Sequence, residues 1–227
     1  MICLLPAYPA HIDITPMLSF MGLLCNPRNG RVGVINKYPT AKWAGDNDCF
    51  NGNFDPIKFQ TWLRKIYSCR ERCLFITAPD VVANAEATIR QFPEWSEKIR
   101  SLGYPVAFAL QDGVKESDIP WDLCDAVFLG GSTKFKLSQE AIQLLLIAKE
   151  YGKWRHVGRI NTIKRVTHFW NYADSFDGTD FIFHPNESIK DTVYIMTWRQ
   201  QQIELMPNLS RNPEGTRALP DKTRGLA

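Results

Sequence analysis

A compact, closed (β/α)8 barrel of the TIM type is the fold class this sequence predicts, on three observations. Eight short apolar runs rich in branched or aromatic residues recur along the chain. Helix-like stretches with polar caps alternate with the later runs, which calls for parallel strands joined by right-handed crossovers. The 227 residues, 44% of them hydrophobic, suffice for one core.

The strand runs are Ile2 to Leu5, Val32 to Ile35, Lys42 to Ala44, Cys73 to Thr77, Val106 to Leu110, Ala126 to Leu129, Arg155 to Val157 and Ala173 to Phe176. Helices are expected over Asp55 to Tyr67, opening with Asp-Pro, and over Ala83 to Leu102, closing at Gly103. Two more span Ser138 to Tyr151, closing at Gly152, and Asn161 to Tyr172. The interval from Ile35 to Lys42 is too short for a helix, so the early part is expected to be irregular. One domain should cover residues 1–207. The tail 208–227, rich in Pro, Gly, Arg and Lys without a period, is expected to be a flexible basic arm.

Residues 14 to 25 are apolar but fall short of the ~18 that a membrane span requires, and no cleavable leader is visible. The expectation is a soluble cytoplasmic protein with no membrane partner, in the host cytoplasm if a phage encodes it. The six cysteines lack zinc spacing and read as free thiols, with no metal and no cofactor. A net charge of +3 does not by itself indicate nucleic acid. Between Lys134 and Arg165, however, eight basic residues face two acidic ones. Lys134, Lys136, Lys164 and Arg165 are therefore candidate phosphate contacts, against the plainer reading of a solvated helix face.

In such a barrel the chemistry collects at the carboxyl ends of the strands. Asp46-Asn47-Asp48 follows one strand, where Asp and Asn could equally form a turn. Asp80 ends another, either as a helix cap or as an acceptor for the N1-H and 2-amino group of a guanine-like base. Gln111, on the end of a buried strand, needs partners inside the protein or in a ligand. Gly130-Gly131 lets backbone N-H groups approach a ligand or permits a tight turn, in no nucleotide phosphate-loop pattern. His156 to Asn161 and Asp174 to Asp180 end the last strands. The second segment crowds Asp174, Asp177 and Asp180 together, as a site or ion requires more often than a fold does. His156 reads either as a core histidine or as a participant in the chemistry.

Taken in order, these segments resemble the tRNA-guanine transglycosylase superfamily, most closely its DNA-acting branch, the DpdA-like 7-deazaguanine DNA transglycosylases. The resemblance runs from Lys42 to Thr179, about three-fifths of the chain. Asp46-Asn47-Asp48-Cys49-Phe50 is similar to the family's Asp-Ser-Gly-Gly-Phe, which implies Asp46 as general acid/base. Pro79-Asp80, Leu110-Gln111-Asp112-Gly113 and Phe128-Leu129-Gly130-Gly131 resemble the base-binding segments, and Asp174-Ser175-Phe176-Asp177 resembles Asp-Met-Phe-Asp, whose last Asp is the nucleophile. Arg159 and Asn161 complete the implied substrate-binding set, and Arg159 is also expected to keep Asp177 ionised.

No cysteine follows Cys124, so the tRNA enzymes' zinc subdomain is missing, and the loop after Gly131 reads Ser-Thr-Lys-Phe-Lys-Leu-Ser. Both departures point to DNA. The resemblance implies exchange of guanine, in single-stranded DNA or flipped from a duplex, for a free preQ0-like 7-deazaguanine through a covalent Asp-glycosyl intermediate. A tRNA-guanine transglycosylase and a non-catalytic nucleic-acid-binding barrel are the alternatives. The sequence assigns no oligomeric state.

Overall fold

The computed structural model describes residues 1–7 and 14–178; the tail 208–227, the domain limit at 207 and Asp180 lie outside the described residues. Eight strands, β1 (Ile2–Pro6), β2 (Met21–Cys25), β3 (Trp43–Gly45), β4 (Cys73–Thr77), β5 (Val106–Leu110), β6 (Ala126–Leu129), β7 (Trp154–Val157) and β8 (Ser175–Asp177), close into a barrel in chain order. Every adjacent pair is parallel, and β8 closes on β1 with Asp177 opposite Leu4. The helices are α1 (Val32–Asn36), α2 (Pro56–Lys65), α3 (Ala85–Arg100), α4 (Thr133–Lys136), α5 (Gln139–Glu150) and α6 (Ile163–Phe169). No helix among the described residues is long and apolar enough to cross a membrane.

The barrel and the number of strands agree with the sequence reading, but one strand is elsewhere. Val32 to Ile35 is not a strand; it forms most of α1, which buries Ile35 alone while Arg31, Gly33 and Asn36 face solvent. The chain reaches this helix through a turn in which the Asn26 side chain accepts the N-H groups of Arg28 and Asn29. The second strand is instead Met21–Cys25, buried at all five positions. A strand covered on both faces shows a continuous apolar run with no alternation, and this one contains no β-branched or aromatic residue. Gly22 is essential to it: a Cβ there would lie 2.5 Å from the Lys42 carbonyl oxygen of the neighbouring strand and 3.0 Å from Leu4 Cδ2. Gly22→Ala is expected to cost ~1–3 kcal/mol through this overlap, read as a fall of several degrees in Tm.

The larger core lies between barrel and helices. A smaller one fills the barrel itself with Leu4, Leu24, Ala44, Phe75, Ala107 and Ala126, backed by Phe128 and Trp154. Two residues beyond several of these, the strand period brings Asp46, Thr77 and Ala109 to the carboxyl-end mouth. Polar residues that a core would reject are thereby placed together where water and ligand have access.

Candidate functional site

The mouth holds a cavity of about 390 Å³, and its walls include Asp46, Asp80, Gln111, Gly130, Gly131, Arg159, Asn161 and Asp177. The structure therefore brings together all eight catalytic and substrate-binding candidates, from six strand ends spread over 132 positions of sequence (46 to 177). The size is within the range of small-molecule sites, ~300–1,000 Å³.

Asp177 is the last residue of β8 rather than a loop residue beyond it. Its Oδ1 is 3.0 Å from His156 Nε2 and accepts the backbone N-H of Arg159 at 3.1 Å. Its Oδ2 has no hydrogen-bond partner among the described residues, which leaves lone pairs for an electrophile at the cavity wall. His156 is fully buried, wedged against the rings of Phe75 and Phe128 at centroid distances of 5.2 and 4.6 Å. Its Nδ1 lies 2.9 Å from Ser175 Oγ, which accepts the Trp154 indole N-H at 2.8 Å. The network assigns the protons: Ser175 gives its hydroxyl hydrogen to Nδ1, and Nε2-H faces the carboxylate. Trp154, Ser175 and His156 form a buried relay that fixes the orientation of Asp177. The sequence reading named His156 without assigning it this role; its signal is a histidine two positions beyond an inward Trp154, in register with Ser175.

Asp46 faces the same cavity from just beyond β3. Burial pushes its carboxyl up to about 7, the Asp177 charge adds to this, and the Asp48 N-H at 3.3 Å counteracts it. Asp48 is no part of the cavity; it takes a left-handed conformation (φ 64°) and binds Arg28 at 2.6 Å.

Asp80 does not cap a helix; Asn84 caps α3 by accepting from Ala87 N. One Asp80 oxygen accepts from Asn47 Nδ2 at 2.7 Å and the other from Gln111 Nε2 at 2.6 Å. Burial raises the Asp80 pKa, with the Asn47 hydrogen bond acting against it. Gln111 Oε1 accepts from Ala83 N at 2.8 Å, so this amide first serves to orient Asp80, with one N-H and one lone pair left for a ligand. Thr77, buried at the cavity wall, carries an Oγ1 with no hydrogen-bond partner among the described residues. Such an orphaned hydroxyl is expected where a ligand completes the bonding. The sequence reading gave it only as the end of the run Cys73 to Thr77.

Gly131 adopts φ +68°, and a Cβ there would collide with the Asp112 carboxylate. Asp112 in turn accepts Ser132 N at 2.7 Å and the Ser132 hydroxyl at 2.5 Å, fixing the Gly-Gly turn. Arg159 bridges the mouth, with Nη2 on the Gly131 carbonyl at 2.7 Å and its guanidinium 3.9 Å from the centre of the Phe50 ring. Phe50 is 56% exposed and lines the cavity, an aromatic face that the sequence reading placed in the motif after β3 without giving it a role.

Two expectations are corrected. Lys136 is not a surface phosphate contact. It is 4% exposed, gives a hydrogen bond to the Gly158 carbonyl at 2.8 Å, and burial with nearby Arg159 lowers its pKa to about 8. The three crowded carboxylates are not one cluster either: Asp174 precedes β8 at the opposite end of the barrel and takes both Nε and Nη2 of Arg155, at 2.9 and 2.7 Å. Lys134 on α4 and Lys164 on α6 are exposed, and Arg165 is half-buried, all beyond strand ends on the cavity side.

No protein-family model matches the chain, and no curated protein matches it. Solved structures do. The aldolase QR15 aligns at 12% identity and TM-score 0.50, over 85% of this chain and 95% of that one. A citrate lyase from Burkholderia xenovorans aligns at 12% identity and TM-score 0.45, over 97% and 94%. A tryptophan synthase from M. tuberculosis aligns at 13% and 0.46, over 69% of this chain and 58% of that one. The chain thus spans less than two-thirds of the length of the tryptophan synthase chain. At these identities the likeness concerns fold, and the fold is a compact (β/α)8 barrel of the TIM type.

Proposed function

We propose that this protein is an enzyme, a guanine transglycosylase that exchanges guanine in DNA for a free 7-deazaguanine. One observation carries the reading: Asp177, with one oxygen anchored and the other open, shares a nucleoside-sized cavity with Asp46, a carboxyl poised near neutrality, beside the Asp80–Gln111 pair and the Gly130–Gly131 turn.

The chemistry balances on these residues. Asp177 Oδ2 attacks C1′ as the C1′–N9 bond breaks, and protonated Asp46 gives its proton to the departing guanine. The ester so formed holds the sugar while guanine leaves and the deazapurine enters. Asp46, now a carboxylate, removes the proton from the incoming N9, which attacks C1′ and releases Asp177. Two inversions give retention, and the proton ends where it began. A pKa near the working pH lets one group act as acid and then as base. Asp80 supplies the acceptors for a guanine N1-H and 2-amino edge, Thr77 Oγ1 offers an unfilled bond, and Phe50 a stacking face. DNA rather than tRNA is favoured by the loop after Gly131, which reads Ser-Thr-Lys-Phe-Lys-Leu-Ser.

The test is to incubate the protein with guanine-containing DNA or with tRNA and preQ0, digest to nucleosides and analyse by mass spectrometry. A deazapurine deoxynucleoside is the expected product; its absence across several DNA sequences overturns the reading. His156→Phe keeps the ring volume and removes the donor to Asp177. Its kcat should fall about 10–100-fold, the usual cost of losing an outer-shell partner, with KM for the free base nearly unchanged. His156→Gln should recover part of the loss.

A further inference from the structure

A second cavity, of about 760 Å³, lies against the first, with Asn47 in the wall of both. One side is the turn after β2, with Arg28 and Arg31. The other is one face of α2, where Lys58, Thr61, Trp62 and Lys65 follow at helical spacing. The Trp62 indole N-H binds the Gly30 carbonyl at 2.6 Å and ties the two sides together.

Charge decides what this cleft suits. Its walls carry four cations, Arg28, Arg31, Lys58 and Lys65, and two carboxylates, Asp48 and Asp55. Both carboxylates are engaged: Asp48 by Arg28 at 2.6 Å, Asp55 by Lys58 at 3.3 Å and by the N-H groups of Ile57 and Lys58. Arg31 and Lys65, both exposed, have no ion-pair partner among the described residues. Positive charge therefore remains on both sides of the cleft. These two cations stand on opposite walls, Arg31 just before α1 and Lys65 in the last turn of α2. A chain of linked phosphates engages both better than one isolated anion.

The geometry points to this cleft as the seat of the sugar-phosphate chain flanking the target: a single DNA strand runs from the first cavity past Asn47 along α2, its phosphates neutralised by Arg31 and Lys65. The inference rests on the proposed function and extends it to residues outside the Lys134 to Arg165 segment. Arg28 and Lys58, held by their carboxylates, set the edges of the track and add little charge of their own.

Arg31→Glu/Lys65→Glu tests it, because neither change breaks an ion pair of the described residues. Binding of a labelled single-stranded guanine-containing oligodeoxynucleotide is followed by fluorescence anisotropy across a salt series. Affinity at low salt should fall at least tenfold, and the slope of log K against log salt should become shallower by roughly 1.4, or 0.7 for each lost contact. Lys42→Glu/Lys149→Glu makes the same change of net charge at the other end of the barrel and should stay within twofold of wild type. Equal loss in both variants, or wild-type protein that does not bind the strand at low salt, overturns the inference, and tighter binding of the matching RNA overturns its commitment to DNA. Calorimetry with free 7-deazaguanine reads the first cavity separately. Cleft-dependent strand binding without base binding removes the transglycosylase reading and keeps the cleft; base binding with a strand affinity indifferent to Arg31 and Lys65 does the reverse.

Discussion

Asp177→Asn is expected to abolish base exchange, by roughly 10⁴-fold or more, the scale seen when a covalent nucleophile is lost. The substitution is nearly isosteric. The amide oxygen can still accept from His156 Nε2 and from Arg159 N, so the carboxyl end of β8 keeps its anchors. A Tm within a few degrees of wild type is expected beside the lost activity. The covalent protein-DNA adduct, trapped by denaturing the wild-type enzyme in the presence of guanine-containing DNA, should vanish with the activity. An adduct of unchanged yield in Asp177→Asn assigns the nucleophile to another residue.

Asp46→Asn should lower exchange by about 10²–10⁴-fold, the usual contribution of a general acid/base. Its more specific signature is in the pH profile. The first step requires Asp46 protonated and itself delivers the carboxylate that the second step uses, so the wild-type rate should be level at lower pH and fall as pH rises through about 7; the variant should lack that limb. Stability moves in the same direction. The folded carboxyl holds its proton up to about 7 against the ordinary 3.8 of an aspartate. Folding therefore takes up a proton between about pH 4 and pH 7, and stability falls as pH rises through that window. Above it the folded protein bears the full cost of a charged carboxylate beside Asp177. For a partly buried side chain, with solvent screening, that cost is on the order of 1–2 kcal/mol. Asp46→Asn should accordingly melt a few degrees above wild type at pH 8 and level with it at pH 4, measured by calorimetry.

These two carboxylates were legible in the sequence because both sit at ends of apolar runs, where a barrel admits charge. Gln111 and Gly130–Gly131 were legible for the same reason: each follows a strand whose interior is uniformly apolar, Val106–Leu110 and Ala126–Leu129. The pairing of Asp80 with Asn47 and Gln111 was not, since it joins three loops whose separation depends on the closed barrel. Thr77 escaped, and the role of His156 stayed open, because a lone threonine or histidine in a strand has the same local pattern whether it packs or serves. Lys136 shows the converse. Its charge suggested a surface, but α4 is one turn long and turns this side chain under the loop to the Gly158 carbonyl. Met21–Cys25 was hidden by its own burial, and Val32 to Ile35 imitated a strand because local composition carries no information about where the preceding Asn26 turn sends the chain.

The barrel is closed by hydrogen bonds between its first strand and its last, with Ile2, Cys3 and Leu4 opposite Ser175, Phe176 and Asp177. β1 keeps one side of its backbone unpaired until β8, more than 170 residues further along the chain, has been made. The seam at Asp177 thus joins the two strands most distant in sequence, and a chain that lacks β8 has a bare strand edge, prone to self-association.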